Sequence, residues 1–164
     1  MPIETTAASQ RPDSPGVRFM PPFVFYPCIL MGPALGFLLP EPAIPLPPTV
    51  CAILGIALFA GGFVFMMWGH NRFTSLGVNV KTVLPASMLV TGGAYRYSRN
   101  PMYVGMVALL AGAGAVPGGL WGLLGALVMA LYLTLVVVPR EESYLRRAFG
   151  AEYETYLRAV RRWL

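Results

Sequence analysis

Apolar residues in this chain come in long runs, and polar residues collect between and after them. The first run, Phe23 to Leu39, is just long enough for a tilted helix to span a bilayer. It contains Pro27 and Pro33, which predict a kink, and a Gly32–Gly36 stretch that suits close approach by a neighbouring helix. Residues 40–48 are rich in proline and cannot continue a helix, so they form a tight connection. The second run, Thr49 to Trp68, holds twenty residues without a charge and is the clearest predicted span.

A third apolar stretch, Met102 to Val138, is too long for one span and is interrupted by Pro117-Gly118-Gly119. It predicts a hairpin with helices near 102–116 and 119–138. The first arm is short, so it is expected to begin below the membrane surface, inside protein rather than lipid. Gly118, Gly122 and Gly125, with Ala126 and Ala130, are expected to let the last helix pack closely on a neighbour.

Two segments break the apolar pattern. Residues 69–102 carry His70, Arg72, Lys81, Arg96 and Arg99 with no acid, and Gly92-Gly93 and Asn100-Pro101 divide them into short pieces. From Pro139 onward the chain is amphipathic. Tyr153, Tyr156, Leu157, Val160 and Leu164 fall on one helix face flanked by Arg158, Arg161 and Arg162. Such a helix is expected to lie in the membrane interface with its arginines toward phosphates. The predicted fold class is therefore an all-α integral membrane protein, with four transmembrane helices and a C-terminal amphipathic interfacial helix. Residues 1–22 form a polar, proline-rich tail, and 23–164 a single domain (spans about 23–39, 49–68, 102–116 and 119–138, then a cytoplasmic helical segment 139–164).

Composition excludes a soluble reading. The 164 residues are 56% hydrophobic and only 12% charged, with a mean hydropathy of +0.62, where soluble domains are roughly a quarter charged. The net charge of +5 sits between apolar runs, which suits a membrane surface rather than nucleic acid. All twelve Lys and Arg fall in the N-terminal tail (two), the middle loop (four) and the C-terminal segment (six). Four spans put these segments on one side, which the positive-inside rule assigns to the cytoplasm, with both termini there. No cleavable signal peptide is predicted, because residues 1–22 are polar and include Glu4 and Asp13. Cys28 and Cys51 lie within apolar runs and read as small buried hydrophobes. His70 reads as a helix-end or interfacial residue, and one histidine with two separated cysteines gives no metal site. No dinucleotide, phosphate-loop or nucleophile-elbow motif occurs. With no charge inside a span, a transporter is disfavoured.

Candidate chemistry lies in the two polar segments. Glu141 and Glu142 follow the last span, where the negative end of a helix dipole disfavours acids, so a cation must compensate: a nearby arginine or a cationic ligand. Tyr95, Tyr97 and Tyr103 read singly as interfacial aromatics. Paired carboxylates, tyrosines and arginines converging on one surface would suit a zwitterionic ligand with its own positive centre.

These segments read Gly93-Ala-Tyr95-Arg96, Arg99-Asn100-Pro101, Tyr103 and Gly105, then, after the hairpin, Glu141-Glu142, Leu145, Phe149-Gly150, Tyr153 and Tyr156. Over roughly residues 68–164 the chain resembles the integral membrane methyltransferases of the isoprenylcysteine carboxyl methyltransferase and phospholipid methyltransferase group. The resemblance implies an S-adenosylmethionine-dependent methyltransferase acting on a lipidic or amphiphilic acceptor at the cytoplasmic face, with no metal and no nucleic acid partner. It implies a cofactor site lined or supported by Tyr95, Arg99, Asn100, Pro101, Tyr103, Gly105, Glu141, Glu142, Tyr153 and Tyr156, with Arg99 and Glu142 as the catalytic pair. Better-known members carry His where this chain has Asn100, and an amide can hydrogen-bond but cannot act as a base. The alternatives are a membrane sterol or steroid reductase using NADPH and a non-catalytic binding subunit of the same fold. Against the reductase pattern, Met102 stands where Asn is expected and Met106 where Glu is expected.

Overall fold

The computed structural model describes residues 15–17, 19–77 and 87–164; the polar tail up to residue 14, with Arg11, and Arg18 and Lys81 lie outside the described residues. The chain is helical: α1 (Pro21–Leu38), α2 (Pro48–Ser75), a short 3₁₀ turn (Gly93–Arg96), α3 (Pro101–Ala115), α4 (Trp121–Tyr132), a π turn (Leu133–Val137) and α5 (Val138–Ala159). Among the described residues there is no strand, only an isolated antiparallel bridge between Ala43 and Gly119.

Prolines set where the first three helices start. Each of α1, α2 and α3 has proline in its first turn, where a missing N–H costs nothing because no carbonyl waits for it. Pro27 and Pro33 lie inside α1, which nonetheless runs unbroken over 18 residues. By length and composition three stretches can cross a membrane: α1, α2 and the continuous Trp121–Ala159. The apolar α3 is shorter, at 15 residues, or about 22 Å against a hydrocarbon core of about 30 Å. It is flanked by protein, since α2 and α4 both pack on it while α1 packs on α4.

The α2–α3 seam is built on glycines seven residues apart. A methyl on Gly62 would lie 2.9 Å from the carbonyl oxygen of Gly105, and one on Gly112 would lie 2.6 Å from that of Gly55. Gly69 continues the row against Pro101 and Met102. Heptad spacing is the period at which two helices wound gently around each other keep one face in contact. On the other side of α3, Gly114 meets Gly122 of α4, which also receives Gly32 of α1, and Gly125 packs on the backbone of Cys28. Gly32, Gly122 and Gly125 thus play the packing role their sequence predicts. Gly118 does not: it sits in the turn at φ +78° with open space where a side chain would be.

Two connections meet at one end of the bundle. Ile44 N–H donates to Gly118 O and Leu120 N–H to Pro42 O. Glu41 Oε1 accepts from the Trp121 N–H at the start of α4, and Pro40 O accepts from the Trp121 indole. Glu41 thereby satisfies an orphan donor and sits favourably at a positive helix end. The polar segments 87–100 and 139–164 meet at the opposite end.

The predicted break between the last span and the C-terminal helix is absent: α4, the π turn and α5 run on as one helix. Pro139 offers no N–H to the carbonyl four residues earlier and crowds it with its ring; the wider π turn just before it eases both conflicts. The helix kinks at Gly150, whose φ of +50° a side chain would resist.

Candidate functional site

The site forms where three chain segments that are distant in sequence come together: the 93–103 segment, the start of α5 and the chain's last residues. Glu142 anchors it. Its carboxylate is buried, lies 3.3 Å from Arg99 Nη2, and accepts two hydrogen bonds from Arg162: Nε to Oε1 at 3.0 Å and Nη2 to Oε2 at 2.7 Å. This bidentate geometry matches the planar guanidinium to the planar carboxylate, and the bond to Glu142 raises the Arg162 pKa. The cationic compensation expected for the paired acids is therefore supplied, for Glu142, by Arg99 and Arg162.

Glu141 has a different environment. It accepts one hydrogen bond, 2.6 Å, from the Tyr103 hydroxyl, and no arginine lies within ion-pair distance among the described residues. Burial pushes its carboxyl up to about 7; the Tyr103 bond opposes this and the neighbouring Glu142 charge adds to it. The two adjacent acids are thus chemically distinct: Glu142 is locked in ion pairs, and Glu141 remains available to a cationic ligand.

The C-terminal residues close over the 98–100 loop. Arg99 N–H donates to Arg161 O, while the Asn100 side-chain amide (2.9 Å) and the Ser98 hydroxyl (3.4 Å) both donate to Arg162 O. The buried Ser98 hydroxyl also accepts from Asn100 N–H. Asn100 therefore uses its amide nitrogen to fix the chain terminus, which holds Arg162 against Glu142. Ser98 and Arg162 are the members of this site that motif reading missed. In sequence Arg162 reads only as a flank of an interfacial helix, and no local spacing links it to Glu142.

The tyrosines form the wall. Tyr95, Tyr153 and Tyr156 are buried together with Val90, and Tyr156 OH donates to Tyr95 O at 2.8 Å. Burial raises the pKa of all three hydroxyls, that of Tyr153 up to about 12, so they stay protonated donors at neutral pH. The apolar face of residues 153–157 thus packs on protein. Val160 has left the helix with extended backbone, and Leu164 is exposed. Tyr97 is exposed, and its ring lies tilted against that of Trp68.

Of the sequence-derived site residues, Tyr95, Arg99, Asn100, Glu142, Tyr153 and Tyr156 converge here, with Tyr103 and Glu141 beside them. Pro101 is buried as the first residue of α3. Gly105 belongs to the α2–α3 seam, where the Gly62 carbonyl leaves it no room for a side chain. His70 lies within the last two turns of α2. Both cysteines are buried and free, and no cluster of potential metal ligands occurs among the described residues.

The phospholipid methyltransferase family model matches residues 50–152, a span that holds α2 from Val50 on, α3, α4 and the Glu141–Glu142 pair. An uncharacterized protein of Haemophilus influenzae is 35% identical over 63 residues, which is 38% of this chain and the whole of that relative. No solved structure matches the chain. These matches lend no support to the reductase or binding-subunit alternatives. With the Arg99–Pro101 segment and the Glu141–Glu142 pair joined in one buried site and the family match running through both, the chain belongs to the phospholipid methyltransferase family.

Proposed function

We propose that the protein is an S-adenosylmethionine-dependent methyltransferase that modifies a lipidic or amphiphilic acceptor at the cytoplasmic membrane face. The observation that carries this reading is the 3.3 Å Arg99–Glu142 pair, which joins the two polar motif segments across an intervening membrane hairpin. The residues present suit the cofactor's charges. Arg99 keeps a buried Nε–H without an acceptor among the described residues, a group suited to a carboxylate. Glu141 offers a carboxylate not engaged by any arginine among the described residues, suited to an ammonium or sulfonium, and the tyrosine wall suits an apolar or cationic face. When bound, the cofactor supplies an electrophilic methyl group. The protein's contribution is then mainly placement, with charges fixed in advance by Arg162 and the loop it closes. Asn100 cannot titrate in this range, so no proton transfer is assigned to it.

The test is incubation of the purified protein with methyl-labelled S-adenosylmethionine and a total lipid extract, followed by identification of the labelled product. The expected result is label in a lipid. Absence of both transfer and cofactor binding by calorimetry would sink the proposal.

A further inference from the structure

Arg72 has no role in the site described above, yet its environment is built. It sits in the last turn of α2, one helical turn beyond Trp68 on the same face. Its guanidinium lies against Gly92: a methyl there would come 2.9 Å from Nη2, 3.1 Å from Nε and 3.3 Å from Cζ. Gly92 and Gly93 thus leave the space that the arginine fills. Its Nε–H is fully buried with no acceptor, and no carboxylate pairs with Arg72 among the described residues. The α2 C-terminus favours a cation there but supplies no partner for its N–H groups. The indole of Trp68 lies 5.7 Å from the Tyr97 ring, and both are well exposed, at 45% and 62%.

Depth identifies the ligand class. Helix α2 has 28 residues, about 42 Å, and so outruns a hydrocarbon core of about 30 Å. Its uncharged stretch ends at Trp68, an interfacial residue type, so Arg72 lies at the level of lipid phosphates. Gly69, between the two, packs on Pro101 and Met102, which joins this position to the segment carrying Arg99 and Asn100. We propose that Arg72, Trp68 and the Gly92–Gly93 turn form a recognition site for the phosphodiester of a glycerophospholipid, holding the acceptor's head group beside the methyl-transfer site. The inference rests on the methyltransferase reading for its purpose, but its binding test does not.

The full-length protein in an uncharged detergent is titrated with dihexanoyl phosphatidylethanolamine, with dihexanoylglycerol and with inorganic phosphate; S-adenosylmethionine is titrated in parallel. The phospholipid should bind more tightly than the other two. Arg72→Gln should weaken it on the order of tenfold, the usual scale for a lost charge-assisted contact. Arg72→Lys should lose less, and cofactor affinity should be unchanged. Gly92→Ala, which keeps the charge but displaces the guanidinium, should weaken phospholipid in the same direction and guards against misfolding of the first variant. Unchanged phospholipid affinity in both Arg72→Gln and Gly92→Ala overturns the site. So does equal binding of the diglyceride or free phosphate, or loss of cofactor affinity in Arg72→Gln, which would hand the arginine to the cofactor. Wild-type protein that binds phospholipid through Arg72 but not S-adenosylmethionine would support the site and overturn the methyltransferase reading.

Discussion

Glu142 holds two arginines at once, and most of the site's geometry follows from it. Its side chain is 7% exposed and that of Arg99 12%, so removing the carboxylate strands a buried guanidinium. Breaking a buried pair from one side costs about 3–5 kcal/mol, whereas an exposed pair is worth about 1 kcal/mol or less. Glu142→Gln should therefore lower the thermal midpoint strongly, and Glu154→Gln, whose partner Arg146 is half exposed, hardly at all. Equal shifts would mean that Arg99 and Arg162 find other partners. Its neighbour gives a pH signature. The Glu141 carboxyl is pushed up by burial from 4.5 to about 7, so the folded chain holds a proton that the unfolded chain has released. That contribution is fully present below about pH 4.5 and is lost as pH rises through about 7, a loss of about 3 kcal/mol at most. Unfolding in detergent should show stability falling across this window, and Glu141→Gln should flatten the slope; an unchanged slope in the variant would assign the proton elsewhere.

At the scale of elements, the helices were legible because hydrophobic run length alone identifies apolar helices, and proline marks where they begin. Their partners were less legible. Gly32, Gly122 and Gly125 announced a contact by clustering. Gly55, Gly62 and Gly69 are spread through a uniformly apolar helix, where a heptad of small residues stands out only once the facing helix is known. The continuity of α4 into α5 was hidden too, because Pro139 reads locally as a stop and only the π turn before it lets the helix pass. In the site, Arg99, Glu142 and the tyrosines were legible from their motifs, while Arg162 was not, because its partner is twenty residues away around a kink. The seam makes a sharp prediction from two adjacent residues. A methyl on Gly61 meets nothing within 4 Å, while one on Gly62 would press on Ala108, the Gly105 carbonyl and the Leu109 nitrogen at 2.8–3.0 Å. Gly61→Ala should be neutral or stabilising by up to about 1 kcal/mol, since alanine restricts the unfolded chain. Gly62→Ala should destabilise by about 1–3 kcal/mol, the usual cost of overpacking. Detergent unfolding of the pair decides it, and matched effects would mean that α2 and α3 can separate without cost.

Over the whole molecule, polarity is divided between two ends. One end carries the mutually hydrogen-bonded connections around residues 42–44 and 118–120, with Glu41 and no lysine or arginine. The other carries the ion-paired site and all nine lysines and arginines among the described residues; in sequence, Lys81 belongs to the middle basic segment, and Arg11 and Arg18 to the N-terminal segment that leads into α1. An even number of crossings is the arrangement that puts all three basic segments on one face, and short basic segments are retained on the cytoplasmic side. The count depends on α3, which is too short to cross a full hydrocarbon core by itself but is sheathed by α2 and α4 and leads from the basic end to the other. The orientation can be read in cells with single cysteines at position 43, in the non-basic connection, and at position 155, on the exposed face of α5. Both native cysteines, Cys28 and Cys51, are first replaced by alanine. A membrane-impermeant maleimide applied to intact cells should label Ala43→Cys, and should label Thr155→Cys only after the membrane is opened. Labelling of both from outside, or of neither until permeabilisation, would mean an even number of crossings between them, where the four-span arrangement has three, and would overturn it. Labelling of position 155 alone would keep four spans but invert them, placing the candidate site at the outer face, away from the cytoplasmic cofactor it is proposed to use.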